Sequence, residues 1–208
     1  MVVSNDKISM PIYLNDLTAA DSKELYAIIR NPDFSYPYIN QNKGTDPDKL
    51  FAAAADYTCL AENARQQQPR QHWFKAIRAQ QDDRLLGCVV LINPRETAVG
   101  QNAEIGFFVA AAYQNQKIGR TAAINLVDWA WQNVGLRAMH ATVDPQNTSS
   151  IQLLHRLGLE QSGFIDAARG LYHDRDGNKR PRILMAGTTR TISRALLRQP
   201  QIPEISVL

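Results

Sequence analysis

Glu104 heads a short alternating stretch, EIGFFV, in which Glu104, Gly106 and Phe108 share one face and Ile105, Phe107 and Val109 the other. A period of two is that of a strand. A carboxylate on a strand beside a ligand cleft can remove a proton from an amine, directly or through water; it can equally be a strand-end glutamate that pairs with a surface base. Beyond the strand lies a polar run, Gln114 to Lys117, after which Ile118, Ala122, Leu126 and Trp129 recur at helical spacing. The first turn of such a helix has backbone N–H groups without intrahelical partners and carries about half a positive charge, so it can hold phosphate. Lys117 and Arg120 place two cations at that terminus, where the dipole disfavours them unless an anion is present. Further on, Asn147 precedes another helical stretch in the position of a cap, with Ser150 in the first turn.

These segments resemble a known family. Tyr113 to Thr121 is similar to the acyl-CoA pyrophosphate loop of the GCN5-related N-acetyltransferases (GNAT), usually Gln/Arg-x-x-Gly-x-Gly/Ala. Gln114, Ile118 and Gly119 match, and Lys117 stands where the first glycine is expected. Val143 to Gly163 resembles the second family segment, Asn-x-x-Ser/Ala followed by a helix and Lys/Arg-x-Gly-Phe/Leu, with Asn147, Ser150, Arg156, Gly158 and Leu159 in those places. The resemblance spans nearly the whole chain and is closest to the RimJ/RimL-type branch that acetylates ribosomal-protein N-termini. It implies an acetyl-CoA-dependent N-acetyltransferase acting on a protein N-terminal α-amine or a small-molecule amine, with a homodimer as one assembly.

The resemblance also implies site residues. Glu104 and Ser150 are the catalytic candidates; Val109, Gln114, Lys117, Ile118, Gly119, Arg120, Thr121 and Asn147 are the cofactor-binding ones. Backbone N–H groups around Val109 would polarise the thioester carbonyl. Many members place a tyrosine acid in the second segment, at a position that here is Leu154. Ser150 is then the nearest group to pass a proton to the leaving thiol or hydrogen-bond its sulfur, or it is an ordinary first-turn serine; Tyr172 and His173 are outside candidates. Asn147 orients cofactor amides, caps its helix, or does both. An α-amine ionises near 7.7 to 8.0 and a lysine near 10.4, a gap worth roughly 3 kcal/mol, so an α-amine demands less of Glu104. Lys117 and Leu154 together motivate a second reading, a non-catalytic acyl-CoA binder of the same fold.

The whole chain is compatible with this. Its 208 residues, 44% apolar, suit a single domain over 1–198 with a tail over 199–208. No apolar run approaches the roughly 20 residues that span a bilayer, and Met1 to Asn5 lacks signal character, so a cytoplasmic location is expected. Cys59 and Cys88 lack metal-site spacing and read as free thiols, with no metal expected. A net charge of +3 makes no case for nucleic acid. The cations Arg169, Arg175, Lys179, Arg180, Arg182, Arg190, Arg194 and Arg198 are interrupted by Asp174 and Asp176 and read as a solvated surface. No nucleophile-elbow pattern supports a hydrolase.

The elements that must position the candidates follow from pattern. The expected order is a strand over Lys7–Leu14, a helix opened by Thr18 and Asp21 as a capping box, a loop over Asn31–Gly44, and a helix begun by Asp46-Pro47 and running to Gln66. Aromatics in the loop, Phe34, Tyr36 and Tyr38, are either a wall of the acceptor pocket or rings that pin the loop to the core. Strands at His72–Ala79, Leu85–Ile92 and Glu104–Val109 read as an antiparallel meander, with Gly87 marking a bulge or a close approach. Strand, helix over Lys117–Val134 and strand over Arg137–Val143 read as a parallel crossover. A helix over Thr148–Leu157 and two last strands, Leu159–Ala167 and Arg182–Thr191, complete the chain. The fold class is thus mixed α/β (α+β): a mostly antiparallel sheet with one parallel crossover and flanking helices.

Overall fold

A computed structural model describes residues 10–34, 36–97, 100–168, 172–197 and 205–208. Among these residues seven strands form one sheet in the order β1-β2-β3-β4-β5-β7-β6: β1 (Ile12–Asp16), β2 (Trp73–Ala79), β3 (Leu85–Thr97), β4 (Gly100–Val109), β5 (Leu136–Val143), β6 (Glu160–Ile165) and β7 (Arg182–Thr188). Neighbours are antiparallel except β4 and β5, which are parallel and joined by helix α4 (Ile118–Asn133). The meander, the crossover and the class of sheet are those the pattern predicts.

Helices cover both faces. On one side α4 packs Ala122, Leu126, Val127 and Ala130 against Leu91, Ile105 and Met139 of the sheet, small side chains letting helix and strands approach closely. On the other side α1 (Ser22–Ile29) and α3 (Pro47–Gln66) enclose Leu25, Leu50, Tyr57 and Phe108. Asp46 caps α3 by accepting from the amides of Asp48 and Lys49, and Thr18 and Asp21 form the capping box, which opens a short 3-10 turn ahead of α1.

The structure shifts several boundaries. The first strand begins at Ile12, because Pro11 cannot donate to a ladder and residues 1–9 lie outside the described chain. Within the Asn31–Gly44 loop a single helical turn, α2 (Pro37–Asn40), forms where Pro37 supplies a first helical position. The last strand stops at Thr188 rather than Thr191: the Thr191 hydroxyl accepts from the Thr188 amide and Ile192 is buried, turning the chain into α6 (Thr189–Leu197). Gly87 fulfils both expectations. Its register slips between Ile77 and Arg78 of β2, and a side chain there would overlap the Phe108 carbonyl.

The feature that makes the site is the shortness of the parallel pairing. It ends at Glu104 opposite His140, although β4 continues to Val109 and β5 to Val143. Past that point β5 is held by β7 on its other edge, and the two parallel strands part.

Candidate active site

One cavity lies in the split. Glu104 and Gly106 of β4 form one wall; Asp144, Asn147, Ser150 and Leu154 form the other; Tyr36, Tyr38 and Arg182 close it. A second cavity, lined by Tyr172, His173, Asp174 and Arg180, shares Pro37, Asp144 and Arg182 with the first. Glu104, Asn147 and Ser150 are therefore brought together, as strand and second segment converge.

Glu104 Oε1 accepts a hydrogen bond from the Tyr38 hydroxyl at 2.5 Å. Burial, and then this bond to a carboxylate, push the Tyr38 hydroxyl well above the usual tyrosine range, so it donates and does not ionise. The second Glu104 oxygen has no protein hydrogen bond among the described residues. The ring of Tyr36 lies over β4 so closely that a side chain at Gly106 would overlap its hydroxyl; glycine is what lets the aromatic loop sit on the strand. The rings also pin that loop, Phe34 and Tyr36 packing on Phe108 with centroids 5.3 and 5.1 Å apart. The rings thus pin the loop, and two of them, Tyr36 and Tyr38, also line the cavity.

On the facing wall Asn147 caps α5 (Thr148–Arg156), its Oδ1 accepting from the Ser150 amide at 3.0 Å. Leu154 is 2% exposed and presents only carbon to the cavity.

The remaining candidates lie at the far end of β4 and do not line this cavity. Ala110 donates its amide to Leu86 O at 2.8 Å, so the alternation of a strand directs the amides of Phe107 and Val109 the other way, into the split. Gln114 Nε2 donates to Val109 O at 3.0 Å, fastening the polar loop to the strand end. Lys117, at the head of α4, is in the left-handed region at φ 63°, as Asn115 is at φ 60°: the lysine adopts the conformation that the family's glycine favours. Ile118 and Thr121 are buried, so their side chains belong to the core and only their backbone is left for a ligand to meet. Gly119 abuts Val109, a Cβ there coming within 3.2 Å of Val109 Cγ2. Burial and the like charge of Arg156 pull the Arg120 pKa down, so two guanidinium groups lie near the start of α4. That pair of cations and the backbone turn at Lys117 fit a pyrophosphate.

Reasoning from sequence alone missed Asp144 and gave Arg182 to a surface cluster. The cluster divides: Lys179, Arg190 and Arg194 are exposed as expected, Arg180 pairs with Asp144 at 3.3 Å, and Arg175 and Arg182 are buried; Arg169 and Arg198 lie outside the described residues. Arg175 donates to the carbonyls of Gly44, Asn31 and Ile29, tying the loop before β7 to the end of α1 and the aromatic loop. The signal available was the alternation of Arg182, Leu184 and Ala186 against Ile183, Met185 and Gly187 in β7, which assigns Arg182 a sheet face.

A mixed sheet that splits beside the parallel pair β4 and β5, with a helix start suited to an anion at one end and a carboxylate at the other, is the frame of an acyl-CoA-dependent transferase. Residues 12–160 match the acetyltransferase (GNAT) domain family, and the chain belongs to it. It is an N-acetyltransferase by family, with acetyl-CoA as co-substrate. It is 26% identical over 154 residues to the probable N-acetyltransferase YjcK of Bacillus subtilis (strain 168), covering 74% of this chain and 82% of that one. The fold is shared with Mycobacterium smegmatis RimJ, solved in complex with CoA-disulfide (TM-score 0.69, 21% identity, 89% of this chain and 88% of that one). It is shared too with the spermidine N-acetyltransferase of Vibrio cholerae, solved with CoA and spermine (TM-score 0.64, 14% identity, 88% and 98%). Among the described residues no helix is long and apolar enough to cross a membrane.

Proposed function

We propose that the chain moves the acetyl group of acetyl-CoA to a primary amine, in the manner of the RimJ/RimL-type enzymes, the acceptor being a protein N-terminal α-amine or a small molecule. The observation that carries this is the placement of Glu104 and Ser150 on opposite walls of one cavity at the split between β4 and β5. The acceptor amine meets the open oxygen of Glu104, whose other oxygen is held by Tyr38, and gives up its proton there. Amides of Phe107 and Val109, fixed in direction by the ladder on the other edge of β4, stabilise charge on the carbonyl oxygen as the amine attacks. Ser150 stands on the leaving-group side, where its hydroxyl donates to the departing sulfur. The start of α4, with Lys117, Arg120 and the backbone at Gly119, holds the pyrophosphate. Asn147 uses its oxygen to cap α5, leaving its amide nitrogen to the cofactor.

The same proposal takes 1–198 as one catalytic unit with 199–208 as its tail, self-association as a homodimer, and a cytoplasmic setting, to which the free thiols of Cys59 and Cys88 are suited. The test is release of free thiol from acetyl-CoA with a panel of small amines and of peptides differing in their N-terminal residue. Acceptor-dependent release is expected. The second reading, a non-catalytic acyl-CoA binder, is favoured by the hydrocarbon wall at Leu154, and tight CoA binding without release across the panel would select it.

A further inference from the structure

Arg182 is 7% exposed and lines both cavities. Its guanidinium lies over the Tyr172 ring, 4.8 Å from the centroid, while its Nε has no hydrogen-bond partner; among the described residues it makes no ion pair. No carboxylate forms an ion pair with it among the described residues: Asp144 pairs with Arg180 and accepts from the Gln146 amide at 2.8 Å; Asp174 is folded into its own turn, accepting from the amides of Asp176 and Asn178; Glu104 holds Tyr38 with one oxygen. Burying a guanidinium without a hydrogen-bonded counter-charge is strongly unfavourable, and this one rests on the face of an uncharged ring.

Resting on the proposed function and deepening it, we propose that Arg182 is the acceptor-specificity residue and that the acceptor carries a carboxylate, bound by Arg182 while its amine is bound by Glu104. The cavity then offers one carboxylate oxygen and one guanidinium, the complement of a zwitterion. Guanidinium forks match carboxylates with two parallel hydrogen bonds. The phosphates of the donor are not the missing anion, because their site is at the start of α4. A polyamine, which brings only positive charge, meets Arg182 as a like charge and is excluded. Two sources supply the chemistry: the α-carboxylate of a free amino acid, or an acidic side chain in the first residues of a peptide.

The experiment compares matched acceptors in thiol release: alanine against alaninamide, and a peptide amide beginning Ser-Glu against one beginning Ser-Gln, with spermidine as a third arm. The wild type is expected to favour the carboxylate member of at least one pair through KM, and the favoured pair names the source. Arg182→Met is expected to lower that preference at least tenfold without changing the KM for acetyl-CoA, and Arg182→Lys to retain part of it. Because the preference is compared between wild type and variant, differences in amine basicity within a pair cancel. Equal use of both members of both pairs by the wild type, efficient use of spermidine, or a preference that survives Arg182→Met would overturn the proposal. The first two need no variant that folds. If no amine yields thiol, the proposed function fails, and calorimetric binding of the same pairs to the CoA-loaded protein still decides the role of Arg182.

Discussion

The two ends of β4 are built on different principles. At the Val109 end the proposed cofactor site is made of backbone: a polar loop, a left-handed turn at Lys117 and the start of α4, all within a dozen residues of sequence. At the Glu104 end the proposed acceptor site is made of side chains drawn from four distant segments, with Tyr38, Glu104, Ser150 and Arg182 meeting only after the sheet has formed. A backbone site tolerates change of side chain but not added bulk or charge. A side-chain site depends on the scaffold that aims each group.

The sharpest way to break this contrast is Gly119→Glu. A carboxylate about 4 Å from a pyrophosphate charge at an effective dielectric of 20 costs about 4 kcal/mol, so CoA affinity is expected to fall about 10³-fold by calorimetry. Unchanged affinity would move the cofactor elsewhere. Glu104→Gln is expected to lower turnover about 10²-fold near neutral pH while leaving CoA binding intact. The loss should shrink as pH rises through the ionisation of the amine, about 7.7 to 8.0 for an α-amine, because free amine then needs no base. A loss that is flat with pH would make Glu104 structural.

Arg175→Met probes the scaffold of the acceptor end. It leaves the buried carbonyl of Ile29 and the half-buried carbonyls of Asn31 and Gly44 without their donor, and a loss of about 2 to 4 kcal/mol in denaturant unfolding is expected. Acceptor KM should rise, with CoA affinity within about twofold of wild type. If both ligands weaken together, the two ends are not independent. The smallest effect belongs to Lys117→Gly. Relief of the left-handed backbone favours the variant by about 1 kcal/mol, while loss of a cation beside phosphate acts against it. Since only the charge is screened by salt, CoA affinity of the variant relative to wild type is expected to improve as ionic strength rises.

That difference also explains what was legible in the sequence. The meander, the crossover and the helix caps are local or nearest-neighbour features, carried by alternation at Glu104 to Val109, by Thr18 with Asp21, by Asp46-Pro47 and by Asn147. The loop proposed for the cofactor could be picked out because its parts are contiguous. Glu104 and Ser150 could be named from motif position, but Tyr38 could not be tied to Glu104, since their contact spans 66 residues and depends on Gly106 admitting the aromatic loop. Arg182 misled for the same reason: in a row of cations its charge is visible and its burial is not. The end of β7 was missed because Thr189 to Thr191 suits strand and helix start alike, and only the Thr191 cap decides.

One consequence concerns the sheet's borders. Residues at the end of the chain lie along β1: Leu14 donates to Ser206 O, Leu208 donates to Leu14 O, and Val207 bridges Leu14 in parallel. Buried Lys75, held by Asp16 at 2.9 Å, also reaches the Leu208 carbonyl. That margin of the sheet is thus hemmed, its ladder groups occupied. On the opposite margin, β6 pairs only with β7 among the described residues and shows Phe164 to solvent. Among the described residues, then, a strand added to this sheet from another copy or another chain finds its open selvage at β6, the margin farthest from β1.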